Sequence, residues 1–312
     1  MRILVAEKIA REGLARLQAR HDVDERLGLT PDALIEAIEP YDALIVRSQV
    51  QVSEAVIAAG THLRVVARAG VGLDNIDVPA AGRAGLVVLN APDGNTIAAA
   101  EHTLGLLLAV ARHIPAADAS MRAGEWARSK LGGTELRGKT LGIVGLGRIG
   151  MAVADRARAF GMRIVGSDPH LTAANAVLRG VELLPLRAVL DMADVVTVHV
   201  PLSPETHHLL DAAAIATMKP GAIVLNLARG GVVDEAALAA ALRDGRLGGA
   251  GIDVFETEPP KPDSLLLTAP NVVLTPHIAA STAEAQVAVG IEIAERVIAA
   301  LDALPVGAVP AR

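Results

Sequence analysis

The chain has 312 residues, 52% hydrophobic and 21% charged, with 29 Lys and Arg against 35 Asp and Glu, a net charge of -6 and no cysteine. That length suits two lobes with separate cores, the lack of cysteine excludes disulfides, thiolate metal sites and a cysteine nucleophile, and without a basic excess no nucleic-acid partner is expected. The opening run Met1–Lys8 is too short and too soon charged for a signal peptide, and Ile97–Val110, interrupted by Glu101 and His102, falls short of the roughly 20 residues of a membrane span, so no membrane contact and a cytoplasmic location are expected.

Short β-branched runs alternate with Ala-rich helical stretches, the pattern of βαβ units and parallel sheets. Strands are expected at Arg2–Ala6, Ala43–Val46, Val65–Ala67 and Leu86–Leu89, with helices between them. Thr30-Pro31-Asp32 carries a helix start, with a capping hydroxyl, proline at the first position and an acid in the first turn; Ser53-Glu54 repeats it more weakly. An apolar helix from about Thr96 to Arg112 leads to a second series, Thr140–Val144, Arg163–Ser167, Val195–Val200, Ala222–Leu225, Ala250–Ile252 and Val272–Leu274, six strands for one sheet. A last helix from about Ser281 to Leu301 is expected to return to the first lobe. The expected fold is therefore α/β: two Rossmann-like or flavodoxin-like doubly wound parallel-sheet domains, 1–94 with 281–312 binding substrate and 95–280 binding NAD, with a cofactor cleft between them.

Gly145-Leu146-Gly147-Arg148-Ile149-Gly150 follows the strand Leu141–Val144 and opens the helical run Met151–Phe160. With 29 glycines in the chain the pattern alone is weak, and its strand-turn-helix setting gives it force. The first glycine permits the turn, the second lets backbone approach a pyrophosphate, and the third lets helix pack on strand. Asp168 closes the next strand, where its carboxylate can accept both adenosine ribose hydroxyls; it repels a 2′-phosphate, and Pro169-His170 supplies no arginine to offset that, so NAD is the expected cofactor.

Hydride transfer from an alcohol needs a group to move the hydroxyl proton, and histidine suits neutral pH. His277 lies just past the strand Val272–Leu274, at the carboxyl edge where open α/β sheets bind ligands, and Glu258 ends another strand-loop unit within possible reach of its ring. Arg229, followed by Gly230-Gly231, can take a carboxylate bidentately. His207-His208 has no third ligand at useful spacing and reads as an exposed pair, and no metal is expected. His199 reads as a residue of the cofactor cleft or the core.

Arg68-Ala69-Gly70-Val71-Gly72-Leu73-Asp74-Asn75-Ile76-Asp77, the glycine turn, His199-Val200-Pro201-Leu202, Asn226–Gly231, Asp253–Pro259 and Pro276-His277 together resemble the D-isomer-specific 2-hydroxyacid dehydrogenase family over nearly the whole sequence. The resemblance implies that Arg229, Glu258 and His277 are the catalytic trio, and that Asp253 and the backbone near Val200 and Leu227 touch the cofactor. Arg47 and Arg68, each just after a strand and the latter beside Gly70, resemble a phosphate-binding pair in that family and point to a small phosphorylated 2-hydroxy acid, 3-phospho-D-glycerate, oxidised to 3-phosphooxypyruvate. Arg128 is a further candidate cation, across a subunit boundary in an expected homodimer. Reduction of glyoxylate or hydroxypyruvate, and an NAD-sensing binding role, are the alternatives. Many members carry a C-terminal regulatory domain; here the sequence ends at Arg312, and feedback through such a domain is expected to be missing.

Overall fold

The computed structural model describes residues 1–304, and the chain divides into two compact units, Met1–Asn95 with Ser281–Arg312 and Thr96–Ala280. Residues 305–312, assigned above to the substrate-binding domain, lie outside the described residues.

The first unit begins with β1 (Arg2–Val5), α1 (Arg11–Gln18), β2 (Asp22–Glu25), α2 (Pro31–Ala37), β3 (Ala43–Val46), α3 (Glu54–Ala59), β4 (Val65–Arg68), α4 (Val78–Arg83) and β5 (Val87–Leu89). Its strands pair in parallel in the order β2-β1-β3-β4-β5. The central strands are largely apolar, Ala-Leu-Ile-Val in β3 and Val-Val-Ala before Arg68 in β4, because helices cover both faces. Thr30 Oγ1 accepts from the Ala33 N–H at 3.3 Å and caps α2, whereas Ser53 makes no side-chain cap at α3. The sequence expectation missed β2, Asp-Val-Asp-Glu, because an edge strand need not be apolar; its charges also discourage pairing with another sheet. Tyr41 donates to Asp24 on that edge at 2.7 Å, which holds the Asp24 carboxyl below its ordinary range.

The second unit runs α5 (Thr96–Ala111), α6 (Ile114–Arg122), β6 (Thr140–Val144), α7 (Arg148–Ala159), β7 (Arg163–Ser167), α8 (Ala173–Leu178), β8 (Glu182–Leu183), α9 (Leu186–Met192), β9 (Val195–Val198), α10 (Ala212–Thr217), β10 (Ala222–Asn226), α11 (Glu235–Arg243), β11 (Leu247–Ile252) and β12 (Val272–Leu274). The parallel sheet has the order β12-β11-β10-β9-β6-β7-β8, seven strands among the described residues where six were expected. The seventh, β8, is two residues long and rests on the Val165↔Glu182 and Gly166↔Leu183 pairings, too short to carry a periodicity of its own. Strand order reverses between β6 and β9, which makes the carboxyl ends of those strands a topological switch point.

α5 packs inside this unit, with Leu106, Leu107 and Val110 buried in its core. Gly251 on β11 lets the helix lie close, since a Cβ there would stand 3.0 Å from Leu106 Cβ. Among the described residues no single helix is long and apolar enough to cross a membrane. The chain then returns to the first unit as α12 (Ala283–Ala303), capped by Thr282 Oγ1, which accepts from the Ala285 N–H at 3.1 Å. It crosses α1 where Gly13 meets Gly290, and a Cβ at Gly13 would overlap the Gly290 carbonyl.

Candidate active site

At the switch point β6 gives way to Gly145, whose φ of +92° is a left-handed value that side chains rarely adopt. A Cβ there would also stand 2.6 Å from the His199 carbonyl oxygen and 2.8 Å from Val200 Cγ1. At Gly150 it would overlap the Gly145 carbonyl oxygen. At Gly147 it would meet nothing within 4 Å. Two of the glycines thus serve close packing and the middle one leaves the turn open to a ligand. Asp168 holds this turn to the β7 loop, with Oδ2 accepting from the Leu146 N–H at 2.9 Å and Oδ1 from the His170 N–H at 2.8 Å. Arg148 opens α7 exposed to solvent, and Ile149 packs against the core behind it. An open cradle at the amino end of α7 with an oriented acid beside it fits NAD, the pyrophosphate at Gly147 to Ile149 and the ribose at Asp168.

After β10 the loop 226–231 is folded on Asn226. Buried Asn226 donates through Nδ2 to the Arg229 carbonyl at 2.9 Å and accepts at Oδ1 from the Ala228 N–H at 3.1 Å. Leu227 is buried beneath it, and the half-buried Arg229 donates through Nη1 to the Ala228 carbonyl at 2.6 Å. Gly230 lies against the loop after β11, where a Cβ would overlap the Phe255 carbonyl and stand 2.7 Å from the Glu256 nitrogen.

That second loop presents Glu258. Its Oε1 accepts from the Phe255 N–H at 3.1 Å, and its Oε2 lies 2.7 Å from His277 Nδ1. The loop is pinned to α11 by two crossed bonds: the Glu256 N–H donates to Glu235 Oε1 at 2.6 Å and the Glu235 N–H to Glu256 Oε1 at 3.3 Å. Burial pushes the Glu235 carboxyl above its ordinary range. His277 follows β12 with φ of +53°, and its N–H donates to the Asp253 carbonyl at 2.8 Å. Asp253 is fully buried; it accepts from Thr275 Oγ1 at 2.5 Å and from the Ile278 and Ala279 amides at 2.9 Å each. The Asp253 carboxylate is thus engaged in folding the turn that carries His277. Beside the Glu258–His277 pair lies a cavity of about 390 Å³ whose walls include Phe255, Pro259, Leu274 and Pro276.

His199 stands next to Val200 at the end of β9, bonded to Thr197 Oγ1 at 2.9 Å, and desolvation lowers its pKa to about 4, so the ring is neutral near pH 7. His207 and His208 stack with ring centroids 4.0 Å apart, and His208 pairs with Glu256 at 3.1 Å. Among the described residues no group of three or more His, Cys, Asp or Glu could hold a metal ion.

In the first unit Arg47 follows β3, and Arg68 is the last residue of the neighbouring β4. The Glu7 carboxylate accepts from the amides of Arg47, Gln49 and Val50, at 2.6, 3.1 and 3.1 Å. Asn75 Nδ2 bonds the Arg47 and Val50 carbonyls at 2.9 and 2.6 Å. Arg68 Nε donates to the Arg47 carbonyl at 3.1 Å and its Nη1 lies 3.5 Å from Asp74, while a Cβ on Gly70 would come within 3.6 Å of Arg68 Nε. Arg68 is thus held between the Arg47 carbonyl and Asp74. Arg128 is exposed in a short 3-10 turn, Arg128–Lys130. Sequence reasoning missed the anchoring roles of Glu7, Asn75 and Asn226: Glu7 and Asn75 bond backbone more than 20 residues away, and Asn226 shapes its own loop.

The family described as D-isomer specific 2-hydroxyacid dehydrogenase, NAD binding domain, matches residues 104–279. The D-3-phosphoglycerate dehydrogenase of Archaeoglobus fulgidus is 48% identical over 307 residues, 98% of this chain and 58% of its own length. That of Mycobacterium tuberculosis is 51% identical over 299 residues, 96% of this chain and 56% of its own. The chain therefore spans little more than half the length of these curated relatives. The crystal structure of a protein from Thermus thermophilus, 40% identical, superposes with a TM-score of 0.88 over 97% of both chains.

Proposed function

Because the chain belongs to the D-isomer specific 2-hydroxyacid dehydrogenase family, we propose that it is an oxidoreductase that converts 3-phospho-D-glycerate to 3-phosphooxypyruvate with NAD, in the service of serine biosynthesis. The observation that carries this reading is the 2.7 Å contact between His277 Nδ1 and Glu258 Oε2. With Nδ1–H donated to the carboxylate, Nε2 keeps a lone pair with which to take the proton of the substrate's 2-hydroxyl. Bound NAD supplies the acceptor for the hydride that leaves C2 as the carbonyl forms. Glu258 balances the charge that His277 gains, and Arg229 fixes the substrate carboxylate so that C2 and its hydroxyl present themselves to the ring. Arg47 and Arg68, with Gly70 leaving room beside them, hold the phosphate. In the reverse direction His277 returns the proton to the reduced oxygen.

We assign the second unit the NAD site, the first the phosphate site, and the chain a cytoplasmic, homodimeric state. A mildly acidic chain without cysteine supports that location. A second copy suits the segment from α6 onward, where Ile114, Met121 and Trp126 are 51%, 57% and 78% exposed. The reaction is tested by NADH consumption with 3-phosphooxypyruvate in the wild type and His277→Asn. Loss of a proton-transfer group lowers kcat by about 10²- to 10⁴-fold. Equal turnover removes the reading, and NADH binding without turnover by the wild type favours a cofactor-sensing role.

A further inference from the structure

His102 lies on the core helix α5, far in sequence from the residues placed in the catalytic machinery, yet its Nε2 is 3.0 Å from Thr275 Oγ1 and 3.6 Å from Asp253 Oδ1. Thr275 precedes His277 by two residues. Its hydroxyl has one proton, and at 2.5 Å that proton goes to the fully buried Asp253 carboxylate, which can only accept. Toward His102, Thr275 is therefore an acceptor, and His102 Nε2 must carry a hydrogen. The result is a directed chain, His102 Nε2–H to Thr275 Oγ1–H to Asp253 Oδ1. Around the same carboxylate the Ile278 and Ala279 amides close the turn, and the His277 N–H is held by the Asp253 carbonyl.

We infer that His102 is a positioning residue for His277: by fixing the Thr275 hydroxyl as a donor to Asp253, it keeps the 275–279 turn wrapped round the buried carboxylate and the His277 ring against Glu258. The left-handed backbone at His277, with φ of +53°, is one that a non-glycine residue adopts only where its surroundings impose it. The hydrogen bonds of this turn are those surroundings, and His102 supplies the outermost. A loosened turn would still bind cofactor at the glycine cradle, but it would let the imidazole drift from its working position.

This inference rests on His277 being the proton carrier, so its test includes both residues. In ¹⁵N-histidine-labelled wild type, long-range ring correlations are expected to show His102 with its hydrogen on Nε2; an Nδ1–H tautomer would overturn the chain of bonds. In steady-state reduction of 3-phosphooxypyruvate, His102→Leu is expected to lower kcat about tenfold, with KM and NADH affinity within about twofold of wild type, since small displacements of a reacting group act on kcat. His102→Gln, whose amide can donate to Thr275, is expected to recover most of that loss. His102→Leu with wild-type kcat beside an inactive His277→Asn would overturn this inference alone, as would a His102→Gln no faster than His102→Leu. An active His277→Asn would overturn the proton-carrier reading and this inference with it. Should His102→Leu fail to fold, the tautomer and His102→Gln still decide the matter.

Discussion

Gly230→Ala puts the smallest possible side chain between the Arg229 loop and the Glu258 loop. Where φ is ordinary, exchanging glycine for alanine commonly stabilises a protein by about 0.4–1 kcal/mol, because the unfolded chain loses freedom. At Gly230 the new Cβ would overlap the Phe255 carbonyl and stand 2.7 Å from the Glu256 nitrogen, so the obstacle is backbone on both counts. Carbon atoms rest at about 3.5–4.0 Å, and the two loops would have to part by about 1 Å or more. Neither gives easily: Asn226 ties one, and the crossed Glu235–Glu256 bonds tie the other. Overpacking of this kind costs about 1–3 kcal/mol, which outweighs the entropic gain. A 1 Å displacement between Arg229 and the Glu258–His277 pair is worth about 10²-fold in rate. Urea unfolding and steady-state reduction of 3-phosphooxypyruvate would be measured on the same preparation. The expected variant is less stable and about 10²-fold slower, with NADH affinity retained because the glycine turn is untouched. A Gly230→Ala protein as stable and as active as wild type would refute the reasoning.

Gly13→Ala should destabilise the first unit by about 1–3 kcal/mol in chemical unfolding, because its Cβ overlaps the Gly290 carbonyl where α1 crosses α12; an unchanged midpoint would mean that the helices can separate freely. Asp168→Asn should weaken NAD binding in calorimetry by about tenfold or more, since a hydrogen bond to a charged group contributes about 1.5–3 kcal/mol, and should narrow the preference over NADP; an unaltered preference would contradict the ribose assignment. His199 stays neutral in the fold down to about pH 4, whereas in the unfolded chain it takes up a proton near its ordinary value of 6.5. Stability should therefore fall as pH drops from 6.5 towards 4, by up to about 3 kcal/mol, and His199→Gln should flatten that limb in melts across the range; parallel curves for the two proteins would refute the link.

The central strands of both sheets were legible because helices cover both faces and make them short runs dominated by Val, Ile, Leu and Ala. The glycine turn was legible for a related reason: Gly145 and Gly150 answer local steric demands that a side chain cannot meet, and Gly147 leaves the turn open. Glu258 and His277 could be singled out because loops at the carboxyl edge of a parallel sheet converge, so residues 19 apart in sequence meet at 2.7 Å. What escaped the sequence had no local pattern. β2 is a charged edge strand, and β8 exists only through its pairing with β7. Glu7 folds a loop 40 residues away, and Asp253 makes its bonds more than 20 residues on in the chain, so periodicity and motif spacing carry no trace of either role. Arg68 was readable as a cation near a strand end, but not as one already bonded to the Arg47 carbonyl.

The central claim, a phosphorylated 2-hydroxy acid as substrate, is tested most directly by comparing kcat/KM for 3-phosphooxypyruvate with that for hydroxypyruvate, which differs only in lacking the phosphate. Two guanidiniums on that phosphate, at about 1.5–3 kcal/mol each, predict a preference of about 10²-fold or more, and Arg47→Ala should shrink it while leaving hydroxypyruvate reduction unchanged. Equal kcat/KM for the two keto acids in the wild type would contradict the account.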